Sequence, residues 1–159
     1  MLNNEVLRSI RYTLNLSDSS LLEMFHEVEP ELDIATLRSY LASEEDESFV
    51  LLNDELMVGF LDALIVSRRG PSPHPAPPTE LPLSNNTILK KLRVAFTLHE
   101  ADLLDILHSV DFEVSKPELS ALFRKAGHSN YRVCGDQLLR QFLKGLTLFL
   151  RPDAQRADV

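Results

Sequence analysis

Six polar positions recur at one fixed offset, and their residue types are ones that could do chemistry. Asn3 and Asn85, Asn4 and Asn86, Arg11 and Arg93, His26 and His108, Glu31 and Glu113, and Asp54 and Asp136 are each separated by 82 residues. Neighbouring amides can read a base edge or a peptide bond, an arginine can grip an oxyanion, and a histidine can ligate a metal. Two further clusters carry charge in one copy only. Glu44-Glu45-Asp46-Glu47 is an acidic run, while Lys116, Arg124, Lys125 and Arg132 could contact phosphates.

Each cluster also has a structural reading. Asn3 and Asn4 precede the apolar stripe Leu7, Ile10 and Leu14, so they are expected to cap a helix, as are Asn85 and Asn86. A paired amide site for a base or peptide is the alternative. Arg11 and Arg93 fall beside the buried stripe and need a partner there, and Asp54 and Asp136 are the natural candidates. The expectation is a structural clamp from each arginine to the start of the fourth helix in its own repeat, against an exposed ligand-binding role.

His26 and His108 follow Leu22 and Leu104 by four residues, which places them near an inward face as hydrogen-bonded residues rather than metal ligands. The acidic run lacks the alternating register of a calcium loop and reads as a solvated charged segment. Ser115-Lys116-Pro117-Glu118 is a capping box. No phosphate-cradling glycine loop, Gly-x-Ser-x-Gly elbow or His-Glu-x-x-His pattern occurs, so neither enzymatic activity nor a cofactor is expected.

Positioning these residues requires a duplicated scaffold. Residues 3–66 align without a gap on residues 85–148, with about a quarter of the positions identical. Apolar spacing predicts four helices per copy, capped in the first by Asn3 or Asn4, Ser17, Asp33, and Asn53 or Asp54. Pro30 is expected to close helix two, and Gly127 to end helix three of the second copy. The expected fold is all-α: two homologous four-helix units related by an approximate twofold. The first spans residues 1–66, a proline-rich linker 67–84, the second unit 85–150 and a flexible tail 151–159.

The Asn-Asn starts, the Leu-x-x-x-Arg of each first helix and the Asp-x-Leu-x-x-x-Phe-Leu of each fourth helix resemble the YehS-like family, bacterial proteins with a tandem domain of unknown function. Cys134-Gly135-Asp136-Gln137 and Leu89-Lys90-Lys91-Leu92-Arg93 resemble it in particular. The resemblance implies a bacterial, cytoplasmic, all-helical protein, and it brings no catalytic residue.

The charge is divided unevenly. Residues 1–66 carry 3 basic and 14 acidic side chains, whereas residues 85–150 carry 9 and 7. One template with opposite bias points to diverged surfaces, and hence to an interaction protein with an unknown protein partner. RNA or DNA binding through the basic face of the second copy is the alternative; Leu103–Lys125 has the outline of a helix-turn-helix, though the turn lacks glycine and the whole chain is acidic. An ordinary helical hairpin is the plainer reading.

The acidic run and the pair Arg124 and Lys125 could also meet across repeats or between subunits. Leu146, Leu148, Phe149 and Leu150 in the last helix are a possible homodimer surface. A single cysteine, no signal-like start and no membrane-length apolar run predict a soluble cytoplasmic protein.

Overall fold

A computed structural model describes residues 1–74 and 77–153. Those residues form eight α-helices and no strand. The chain divides into two compact units, Met1–Leu83 and Ser84 onward. The first holds α1 (Asn3–Leu14), α2 (Asp18–His26), α3 (Ile34–Leu41) and α4 (Asp54–Arg69); the second holds α5 (Asn85–Ala95), α6 (Glu100–His108), α7 (Lys116–Leu122) and α8 (Asp136–Leu150).

Helix starts follow short polar side chains that accept an otherwise unpaired first-turn N–H. Ser17 accepts from Ser20 N–H at 3.1 Å, Asp33 from Thr36 at 2.8 Å, and Asn53 from Leu56 at 2.8 Å. Ser84 accepts from Thr87 N–H at 3.1 Å. The Ser115 box closes in both directions, Glu118 N–H to Ser115 at 3.2 Å and Ser115 N–H to the Glu118 carboxylate at 3.2 Å. The charged Glu118 carboxylate is favoured by this contact, and its pKa lies below the usual value first through the Ser115 bond.

Asn3, Asn4, Asn85 and Asn86 are not caps. The cap positions are Leu2 and Ser84, and the asparagines occupy the first two residues inside α1 and α5. Asp54 and Asp136 likewise open α4 and α8 behind Asn53 and Gly135. Helix two ends at His26, short of Pro30, and α7 ends at Leu122, well before the positive-φ Gly127. Helix α4 continues to Arg69, into the segment assigned to the linker, because Val66 O still accepts from Gly70 N–H at 2.7 Å. The remaining described linker residues form neither helix nor strand, and Leu81-Pro82 is a cis peptide. Of the expected tail, residues 154–159 lie outside the described residues.

Inside the first unit, α4 packs on α2, and α3 lies against α1 and α2. Phe25 of α2 stacks on Phe60 of α4 with centroids 5.3 Å apart and meets Tyr40 of α3 at 6.4 Å. Leu107, Phe142 and Leu122 take these places in the second unit, all buried. Burying each such side chain contributes about 1.5–3 kcal/mol. Among the four residues expected at a dimer surface, Leu146 belongs to this core at 1% exposure, whereas Phe149 is 45% exposed. No helix of the described residues is long and apolar enough to cross a membrane.

Candidate functional site

The duplicated asparagines are staples between the first helix and the non-helical segment that leads into the fourth. Asn4 donates to Tyr40 O at 3.0 Å and Val50 O at 2.9 Å, and its oxygen accepts from Leu52 N–H at 3.0 Å. Asn86 repeats this with Leu122 O at 3.0 Å, Arg132 O at 2.8 Å and Cys134 N–H at 2.9 Å. Both side chains lie in buried residues, and each closes three backbone groups that would otherwise lose water without compensation. Asn3 and Asn85 hold the next residue along: Asn3 donates to Leu52 O at 3.1 Å and Asp54 at 2.8 Å, and Asn85 to Cys134 O at 3.0 Å and Asp136 at 2.8 Å.

The expected clamp from Arg11 to Asp54 and from Arg93 to Asp136 does not form, because both acids lie beside Asn3 and Asn85 at the start of the first helix, about 12 Å of helix rise from the arginines near its end. Each arginine instead locks the corner after its own helix. Leu16 N–H donates to Arg11 O at 3.0 Å while Arg11 Nε donates back to Leu16 O at 3.4 Å. Leu98 and Arg93 repeat the ring at 3.0 Å in both directions. Asn15 and Thr97 make the turn possible by adopting φ of 52° and 51°, the left-handed stop that follows many helices.

Beyond this shared frame the two arginines differ. Arg11 Nη2 stands 2.9 Å from Asp18 Oδ1, an ionic contact off the hydrogen-bond direction, and Asp18 also meets Arg38 Nε at 3.3 Å. Arg93 lies with its guanidinium carbon 4.6 Å from the centroid of Phe123. The histidines diverge as well: His26 Nε2 is 2.8 Å from Leu32 O, while the exposed His108 is 3.1 Å from Glu113. Glu31 has no such contact with His26. Cys134 is buried, which pushes its thiol up to about 11 and leaves it unreactive as a nucleophile.

The two oppositely charged clusters fall on one and the same loop. After α3, Asp46 N–H donates to Ser43 O and Phe49 N–H to Asp46 O, both at 3.0 Å; after α7, His128 N–H donates to Lys125 O and Tyr131 N–H to His128 O, again at 3.0 Å. Ser48 N–H donates to Asp46 Oδ1 at 2.8 Å, and Asn130 N–H to His128 Nδ1 at 3.0 Å. The loop returns to its helix through Val50 N–H to Ser39 O at 3.1 Å and Arg132 N–H to Ala121 O at 3.0 Å. Phe49 and Tyr131 are its half-buried anchors.

On this common backbone Glu44, Glu45, Asp46 and Glu47 are exposed in the first unit, and Arg124 and Lys125 in the second. Among the described residues none of Glu44, Glu45, Glu47, Arg124 and Lys125 is in an ion pair. Arg132 is engaged with Glu118 at 2.9 Å, which removes it from the free basic face, and Lys116 is exposed at the start of α7. Glu100 of α6, Ser120 of α7 and Phe123 just after α7 do not stand out in the sequence. Their signal lay at aligned positions that differ, Asp18, Arg38 and Leu41, rather than at those that agree.

Comparison with known proteins follows the same division. The family described as a protein of unknown function (DUF1456) matches twice, at residues 3–70 and 85–151. The chain is similar to the Uncharacterized protein YehS of Escherichia coli (strain K12), with 40% identity over 147 residues, 92% of this chain and 94% of that protein. No solved structure matches it.

Proposed function

Because this chain belongs to the DUF1456 family of proteins of unknown function and carries the family segment twice, we propose that it is a non-enzymatic interaction protein whose two units present one loop with opposite charge to protein partners. The observation that carries this reading is the loop itself: its closing backbone hydrogen bonds recur in the two units, while four acids in the first give way to neutral residues in the second and Arg124 and Lys125 replace Ala42 and Ser43, so the loop's net charge changes sign. Conserving a backbone and inverting its charge alters which surfaces it attracts without altering the fold.

The non-enzymatic reading is supported by where the duplicated polar groups are engaged. The asparagine amides, the two aspartates and the arginine Nε groups all hold backbone or one another, so these recurrent side chains are committed to the frame. A basic protein segment is the expected partner of the first unit's loop. The single buried thiol fits a reducing compartment such as the cytoplasm.

Affinity capture with the full chain, with and without nuclease, tests the reading. A protein recovered equally in both conditions is the expected result. Recovery that disappears with nuclease, and with Arg124→Glu and Lys125→Glu, would assign the chain to RNA or DNA binding through the second unit instead.

A further inference from the structure

The second unit contains a concavity of about 320 Å³ between α6 and α7, lined by Arg93, Glu100, Leu119, Ser120, Phe123 and Arg124. Its volume lies at the lower end of small-ligand sites, roughly 300–1,000 Å³. Leu119 supplies a buried apolar floor and Phe123 a half-buried wall on which the Arg93 guanidinium is stacked. Stacking and the Nε bond to Leu98 O fix the direction of that guanidinium and leave its Nη groups available. Arg124 is exposed, and no ion pair among the described residues joins it or Arg93 to Glu100.

The first unit shows what an occupied version of this corner looks like. There Asp18 stands between Arg11 at 2.9 Å and Arg38 at 3.3 Å, so both cations are paired to one internal carboxylate. The second unit has Glu100 in place of Asp18 and Ser120 in place of Arg38, and gains Phe123 and Arg124 where the first has Leu41 and Ala42. The internal acid no longer bridges the cations, the second guanidinium stands at Arg124 instead of at the position aligned with Arg38, and Phe123 adds an aromatic wall.

We propose that this concavity binds a small organic monocarboxylate with an apolar or aromatic body. The carboxylate meets the Arg93 and Arg124 guanidinium groups, as Asp18 meets Arg11 and Arg38 in the first unit, and the body rests on Leu119 and Phe123. Glu100 sets the charge of the ligand. Two arginines and one acid leave the lining with a single net positive charge, matched by one carboxylate and disfavouring a polyanion. The site shares Arg124 with the second unit's loop but involves none of the acidic residues of the first unit's loop, so loss of the protein partner there leaves carboxylate binding unchanged.

Amide-correlation NMR of the full chain, titrated at constant ionic strength with benzoate, acetate and benzamide, tests the proposal. Benzoate is expected to shift the 119–124 amides saturably and at least about 10-fold more tightly than acetate, which lacks the body, or benzamide, which lacks the charge. Ser120→Arg, which imports the residue of position 38, and Arg124→Ala, which imports that of position 42, are each expected to weaken benzoate at least about 10-fold while the remaining spectrum stays folded. The aligned amides 37–42 serve as an internal control and should not respond. Shifts that do not saturate, equal affinity for acetate or benzamide, equal shifts in the first unit, or unchanged binding in both variants would overturn it.

Discussion

Asn4 and Asn86 each use both amide N–H groups and the carbonyl oxygen on backbone from two other segments, which makes them the least replaceable polar side chains in their units. Replacing either by alanine leaves one buried carbonyl, one part-buried carbonyl and one buried N–H without that partner, and the expected loss is about 2–4 kcal/mol in chemical denaturation. Aspartate should rescue poorly, since a carboxylate cannot donate to the two carbonyls. At Thr97 a β-branched residue adopts a left-handed φ of 51° where the first unit has Asn15. Thr97→Asn is therefore expected to stabilise the chain by about 1 kcal/mol, read as a raised Tm. The asparagine role was only half legible. A cap and a first-turn staple both place asparagine just before an apolar stripe, and they are told apart by where residues 50–52 run, which is a tertiary fact. Ser84 was the available signal, because a serine one position earlier already supplies the cap of α5.

Helix periodicity and capping residues were readable along the chain, since each depends on neighbours within a turn. The close packing of α8 on α6 was not. A methyl group added at Gly145 would meet Ile106 backbone oxygen and lie 2.8 Å from its Cγ2. The residue aligned with Gly145 in α4 is Ala63, so the first unit carries the methyl group that the second excludes. Gly145→Ala is expected to cost about 1–3 kcal/mol despite the gain in helix propensity, and equilibrium unfolding will show whether it does. The loop after α3 has its own acid response. The Asp46 carboxyl is held below its ordinary value of 3.8, first by the Ser48 hydroxyl and then by the Ser48 N–H. Such a depressed group stabilises the loop fully above the unfolded value and loses that contribution as pH falls through the lower folded one. Amide exchange at Ser48 should accordingly be protected at neutral pH relative to an Asp46→Ala variant, and the difference should vanish only below 3.8.

Across the molecule, duplication yields one frame built twice, each copy with its own aromatic or aliphatic centre and its own asparagine staples. The offset of 82 residues made this legible from sequence alone, whereas the concavity at α6 and α7 depends on residues separated in the chain and different between the copies. The asparagines and arginines that agree between the copies hold the frame, and the exposed loop charges differ between them. The most direct test of that division is capture with the full chain beside a variant carrying Glu44→Lys, Glu45→Lys and Glu47→Lys. All three side chains are exposed and outside any ion pair of the described residues, so the variant should keep the wild-type Tm. A basic protein recovered with the wild-type chain, and eluted by salt, is expected to be lost with the folded variant. Recovery of the same protein at the same level and salt dependence by both chains would contradict it.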